Sequence, residues 1–597
     1  MKRPPRVTFA LASLGLAGLL TFASAVSCSK CDRDREEDPA QTMKAAEAAV
    51  PAPDGLLADI TMATPNTSWA KLQRGIGGAV GILPASAGGI ICTAAGLDPF
   101  IASEIDGAAP IYGVMAGDPA SPSYLVAMKL LDLRKARAVL ADGDTARYAT
   151  RDAGAMTELV AKGQGNELPV AVGLSPNGYL LVARRSDDLG RLAPYVTRTL
   201  PKRALPAEGA LVFDVPHAAL GTVMKPKLDE LWASAKSFLL DSDERMRRNH
   251  GGRAPDFGDP KAIVGAADGW VTRRIGVIGD LEKMRIAVVV IDDGVSIVST
   301  MTPAAGGGIA TKWTDGMKVG DLAPLGALPA SSAAALLMRD GEDDRAEQGH
   351  ALEQAVTSAF GPRLAEGDAK KLHDVIEDVT KARGDVVTTA ITWDDPQGLT
   401  LRAPVRDPEA SARAVRGAVD LLKVAPFKDL LHVRDVTSSS EELAGLGKAS
   451  IATIVREGPK APGAPAPSLP RLGDAGTDGG ATKPPHMHGA DLGVAWLVGG
   501  GVLSVATGDA PVATLRASAQ PERKLADEPA VARTFTALAN QASTALVVQP
   551  LRFDPTRANL PAAPLFFALG RKDKDATLRI DIAYGLLREL ARKQMGL

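Results

Sequence analysis

Ser68-Trp69-Ala70-Lys71 places a hydroxyl one helical turn from an amine, the spacing with which a lysine activates a serine nucleophile. Ser175-Pro176-Asn177 supplies an S-x-N of the kind that accompanies such a pair. The usual third element, a Lys-Thr-Gly on a strand, has only Lys318-Val319-Gly320 as a substitute. Each piece also has a conformational explanation. Pro176-Asn177-Gly178 reads as a turn, Ser68 as a residue near a helix N-terminus, and Trp69 as a packing anchor.

The histidines divide in the same way. His486-Met487-His488 could share a metal if a strand held them, yet they sit in a Pro- and Gly-rich stretch without a Cys or Glu at ligand spacing. His217 follows Asp214 by three residues, which on extended chain points the two to opposite faces. His373 flanks an apolar stripe and reads as a solvated helix residue. The run from Gly75 to Gly81 lacks the strand before it that a dinucleotide fingerprint needs. The acidic groups Asp241-Ser242-Asp243-Glu244 and Glu342-Asp343-Asp344 lack the glycine of a calcium loop and read as solvated surface. No catalytic, cofactor-binding or metal-binding residue is therefore assigned, and no cofactor is expected.

The N-terminus carries its own chemistry. Lys2, Arg3 and Arg6 precede an uncharged apolar run from Val7 to Val26, the layout of a secretory signal. Ala25-Val26-Ser27-Cys28 resembles a lipobox, in which the cysteine thiol is lipidated and becomes the new N-terminus. The lipidation site is expected at Cys28, with Ala25 standing where Leu is usual. Ala23-Ser24-Ala25 offers ordinary cleavage instead. Cys28 and Cys31 form a C-x-x-C, but they open a polar tether rather than a helix of a βαβ unit. Cys92, within Gly89-Ile90-Ile91-Cys92, reads as a small buried hydrophobe.

Three phrases position these residues. A strand opening recurs at Leu56-Leu57, at Leu205-Pro206-Ala207 before Leu211-Val212, at Leu328-Pro329-Ala330 before Leu336-Leu337, and at Ser543-Thr544. Two glycine-turn hairpins are expected, at Val170–Ala183 and Val494–Ala506. A strand-to-helix step recurs at Leu131-Asp132-Leu133 and Val405-Arg406-Asp407. The order predicts an internally duplicated α+β fold of antiparallel sheets covered by amphipathic helices. The expected divisions are a signal peptide and lipobox at 1–28 and a flexible tether at 29–50. Two α+β halves follow at 51–327 and 328–597, with a Pro- and Gly-rich insert at 457–490. A hairpin is expected around Asp292-Asp293-Gly294. The strand Leu578–Ile582 alternates apolar and charged residues, predicting one core face and one wet face. Helical stripes at Leu228, Leu231, Trp232, Ala235 and Leu239, and at Leu372, Val375, Ile376 and Val379, are expected to cover the sheets.

Together these phrases resemble a loosely defined family of exported bacterial proteins and lipoproteins of unknown function, and that resemblance brings no catalytic residues. Of 597 residues 23% are charged and the net charge is −2, so nucleic acid is not an expected partner. The expectation is a membrane-anchored envelope lipoprotein facing the periplasm or the cell surface. It would serve as a non-catalytic binding or structural scaffold with a protein or hydrophobic ligand as partner. The alternatives are a carrier or chaperone for a hydrophobic ligand, and a cell-wall or peptide hydrolase.

Overall fold

The computed structural model describes residues 48–595, apart from 79–82, 98, 143–145, 155, 163–167, 208, 250–258, 394–396, 457–490, 539 and 554–562. Cys28, Cys31, His486 and His488 lie outside the described residues, as do the expected signal and the expected insert. The protein is α+β, with twenty strands among the described residues, each pairing antiparallel. It divides into two compact units, Met1–Asp214 and Val215–Leu597.

Unit 1 holds β1 (Leu56–Met62), β2 (Ile111–Ala116), β3 (Ser123–Lys129), β4 (Tyr148–Ala153), β5 (Met156–Ala161), β6 (Ala171–Ser175) and β7 (Tyr179–Ala183). β8 (Leu211–Pro216) closes it. The pairings give the order β4–β5–β6–β7–β3–β2–β1–β8. Both faces are covered, which explains β7, five apolar residues that are all buried. On one face α1 (Pro65–Ile76), α2 (Ala87–Ala94) and α3 (Leu133–Arg137) pack over Met128, Val172 and Leu180. On the other, Leu189, Leu192 and Val196 of α4 (Ser186–Arg198) pack over Val114, Leu125 and Leu181.

Unit 2 opens with two long helices, α5 (Lys225–Asn249) and α6 (Pro260–Gly279), then the hairpin β9 (Leu281–Ile291) and β10 (Gly294–Pro303). After α7 (Ile309–Gly316) come β11 (Ser332–Arg339), α8 (Glu342–Phe360), α9 (Glu366–Ala382), β12 (Val386–Thr392) and β13 (Gly398–Pro404). Next are α10 (Pro408–Leu421), β14 (Val433–Leu443), β15 (Gly447–Arg456), β16 (Leu492–Gly499) and β17 (Val502–Gly508). The chain continues through α11 (Pro511–Ala519), α12 (Pro529–Ala537), β18 (Ala542–Val548), β19 (Leu565–Lys572), β20 (Asp575–Ala583) and α13 (Tyr584–Met595). The sheet order is β14–β15–β16–β17–β13–β12–β11–β18–β19–β20–β10–β9.

The order of the first eight strands recurs in β11 to β18, each number raised by ten. The details recur as well. A register shift lies between Leu56 and Ala58 in β1, and between Ser332 and Ala334 in β11. Asp132 caps α3 by accepting from the backbone N–H groups of Arg134 and Lys135. Asp407 caps α10 by accepting from those of Glu409 and Ala410. The two glycine-turn hairpins are β6–β7 and β16–β17. Compactness divides the chain at Asp214 rather than at the expected 327/328, because β10 pairs with β20 along its length and draws the β9–β10 hairpin into unit 2.

Two expectations need correction. The charged residues of β20 do not face water. Asp581 is buried, with both carboxylate oxygens accepting from Arg579 Nε at 2.9 and 3.1 Å. Two opposite charges two residues apart share a face and enter the protein as a neutral pair. The stripe on α5 does not cover a sheet either. Leu231 is 52% exposed and Leu239 is 49% exposed. α5 packs on α6 instead, where Trp232 Nε1 and Lys236 Nζ donate to Asp268 at 2.6 and 2.8 Å. The stripe on α9 is half kept. Leu372 is buried and Val375 and Ile376 pack in a cluster with Phe360 and Leu421, while Val379 is 43% exposed.

Replacing Asp407 with Ala removes both cap hydrogen bonds and is expected to cost about 1 kcal/mol, while Asp407→Asn costs less. Thermal melting of the three proteins checks this, and an unshifted midpoint in Asp407→Ala would show that the cap contributes nothing.

Candidate functional site

The pieces of the serine–lysine pattern serve the fold. Ser68 is buried in the first turn of α1, with its hydroxyl 3.1 Å from Thr64 Oγ1. Trp69 Nε1 donates to the Pro84 carbonyl at 2.8 Å and packs on the unit 1 core. Ser175 shapes the β6–β7 turn. Its Oγ accepts from the Asn177 backbone N–H, and its carbonyl from that of Gly178, whose φ is +74°. Lys318-Val319-Gly320 runs to an isolated bridge between Gly320 and Ala542.

The remaining candidates are also in structural use. Gly77 and Gly78 end α1 with φ of +64° and +57°, conformations that favour glycine. Cys92 is fully buried in α2, and burial pushes its thiol up to about 12. His217 begins a short helix, and its Nδ1 lies 2.7 Å from the Leu281 carbonyl. His373 pairs with Glu353 across α8 and α9 at 3.1 Å. Glu342 to Asp344 form the first turn of α8, where negative charge suits the helix dipole.

That turn belongs to a charged cluster at one end of β11. Arg345 is fully buried and donates to Asp340 and Asp385 at 3.1 and 2.9 Å. Arg383 also binds Asp340, and Arg406 bridges Asp385 and Glu342. The hydrogen bond from Arg345 leads the causes that hold the Asp385 carboxyl below its ordinary range. Unit 1 has a smaller cluster. Tyr195 Oη donates to Asp59 at 3.1 Å, and Arg203 donates to both. Burial first, then the Asp59 charge, push the Tyr195 phenol up to about 12. Both clusters tie elements of their own unit together, and their charges are mutually neutralised.

A shallow cleft, open to solvent, lies beneath α12 between Asp293, Thr534, Phe566 and Asp581. Its carboxylates are engaged from within, Asp293 by Arg533 at 2.7 Å and Asp581 by Arg579.

The exposed face of α6 and α7 differs from all of these. Ile263, Trp270 and Arg274 form one stripe of α6. Ile309, Lys312 and Trp313 form one stripe of α7. Trp270 is 64% exposed, Ile263 40% and Ile309 38%. The Arg274 guanidinium lies 5.4 Å from the Trp270 ring centre and 5.6 Å from that of Trp313, within cation–π range of both. Among the described residues no carboxylate or carbonyl accepts from it, whereas neighbouring Arg273 is paired with Glu347 at 2.7 Å. Burial against the rings, then the Arg273 charge, lower the Arg274 pKa. On α5, Leu231 and Phe238, at 52% and 57% exposure, extend the apolar surface of the helix pair. The sequence reading missed this face because it assigned apolar stripes to the core. The available signal was α6 itself, whose apolar residues surround the helix rather than line one side.

No family model matches this chain, and no curated protein matches it. Solved structures similar to parts of it include "Structure of crystal form III of TP0453", at 10% identity and a TM-score of 0.20. That match covers 45% of this chain and 98% of the other. "Structure of crystal form IV of TP0453" is similar at 11% identity and a TM-score of 0.20, covering 48% and 99%. At these scores the likeness carries no argument about fold or role.

The His373–Glu353 pair gives a prediction. The hydrogen bond to Glu353 raises the His373 pKa above 6.5, so the stability that the pair supplies is present below 6.5 and lost as pH rises through the raised value. Imidazole NMR titration is expected to place His373 above an ordinary histidine and to return it to normal in Glu353→Gln. Equal titration in both proteins would show that the pair does not form in solution.

Proposed function

We propose that this chain is a non-catalytic binding scaffold of the cell envelope, tethered to a membrane through a lipid on Cys28 and docking through the face of α6 and α7. The observation that carries the reading is Trp270, Arg274 and Trp313. Tryptophan and arginine dominate binding surfaces because they combine large apolar area with directed hydrogen bonding. Here they stand together, with no acceptor for the arginine donors among the described residues. The recurrence of eight strands supports an internal duplication, in which one architecture was used twice and α5–α6 was added between β8 and β9. In the second set the step from β18 to β19 spans only residues 549–564, against 217–280 in the first.

Two measurements test the proposal. Cells supplied with labelled palmitate are expected to incorporate it into the wild-type chain and not into Cys28→Ser. Label retained in the variant would remove the tether. In a Cys31→Ser background, Trp270→Cys is expected to react with a membrane-impermeant maleimide several-fold more slowly in the envelope than after purification. Lys423→Cys, a control on another exposed surface, is expected to react equally in both. If Trp270→Cys also reacts equally in both, nothing covers the face and the scaffold reading fails.

A further inference from the structure

The α6–α7 face combines two demands that one ligand must meet. Ile263, Trp270 and Ile309 present apolar area at the surface, with half-buried Trp313 beside them. Arg274, held by the two indoles, keeps its donors without an acceptor among the described residues, and Lys312 is an exposed cation without an ion pair there. A free phosphate would satisfy the cations and leave the isoleucines and indoles wet. An uncharged apolar chain would do the reverse and strand Arg274. A bilayer bearing anionic headgroups offers acyl chains and phosphate oxygens at adjoining depths, and tryptophan favours that boundary.

We propose that this face docks onto an anionic phospholipid surface, with Trp270, Trp313, Ile263 and Ile309 entering the headgroup–acyl boundary and Arg274 and Lys312 donating to lipid phosphates. The inference deepens the scaffold reading and rests on it. It names the partner as the surface beside which a lipid on Cys28 would hold the chain. Three features fit it. Between Lys261 and Arg274 no residue of α6 is buried, so the helix presents a long face rather than a pocket. Two of the local carboxylates are already engaged, Asp268 by Lys236 and Glu347 by Arg273, and Asp344, which attracts Arg274, accepts no hydrogen bond from it among the described residues. The cations that remain free on the two stripes match the sign of the headgroups.

The test uses residues 28–597 with Cys28→Ser, which keeps every described residue and removes the acyl anchor. The chain is mixed with vesicles of phosphatidylcholine alone, or with phosphatidylglycerol added, and bound protein is separated by flotation. Binding is expected only with phosphatidylglycerol, with a blue shift of indole emission and weakening as salt is raised. Trp270→Ala and Arg274→Glu are each expected to weaken binding by about tenfold or more, with melting temperatures unchanged. Lys312→Glu, on an exposed helix position, provides a second charge reversal should Arg274→Glu misfold. Inorganic phosphate at matched ionic strength is expected to leave binding intact, and displacement by it would assign the site to free phosphate instead. Absence of vesicle binding, or binding that the substitutions leave unchanged, overturns the lipid assignment. If Trp270→Cys is nonetheless shielded in the envelope, the scaffold reading survives with a protein as its partner. If it is not shielded, both fall together.

Discussion

Each set of eight strands is completed by one pairing between its first strand and its last. β1 meets β8 with Asp59 opposite Asp214, and β11 meets β18 with Ala335 opposite Val547. These partners are far apart along the chain, so the entropy of closing the intervening loop is spent before either pairing contributes. Strands next to one another in sequence, such as β2 with β3 or β6 with β7, pair locally and need no such closure. The hairpins are joined into one sheet by β3 with β7 and by β13 with β17, and the first-to-last pairing then adds β8 and β18 beside β1 and β11. In the first set it also places two carboxylates opposite each other, a destabilising arrangement unless a cation intervenes. Arg203 supplies it, binding Asp59 at 2.6 Å.

The parts of the fold visible in the sequence were those set by local backbone chemistry. The strand openings at Leu56, Leu211, Leu336 and Ser543 fall on β1, β8, β11 and β18, the four strands that make the closing pairs. Pro176-Asn177-Gly178 and Gly499-Gly500-Gly501 mark hairpins because positive φ leaves few other options. The two strand-to-helix steps each hide a capping aspartate. What escaped depends on partners distant in sequence. Nothing near Leu231 says whether a sheet or water will face it. Arg579 and Asp581 look like solvent residues until their mutual neutralisation allows burial. The grouping of Trp270 and Arg274 was hidden because Trp313, the second ring, arrives only when α7 folds back on α6.

The two sets also differ in the chemistry of one face. Under α4, the face around Leu125, Ala127 and Leu181 is apolar and buried. The matching register positions in the second set are Thr400, Arg402 and Ser504. Arg402 donates to the Ser518 carbonyl of α11 at 3.2 Å, and burial lowers its pKa. Thr400 and Ser504 remain buried beside it. The second sheet thus has a polar seam between its apolar clusters under α11 and under α12. One strand order accommodates either solution, because backbone pairing is indifferent to the side chains above it.

That indifference bears on how the chain can diversify. The α5–α6 pair hangs between β8 and β9, and the equivalent step in the second set shows that the sheet closes without it. Over most of its length the pair buries few side chains, so packing constrains its sequence less than it constrains the strands. Relatives with the same sheets could carry unrelated helical pairs at this step, and so evolve new attachments without a new fold.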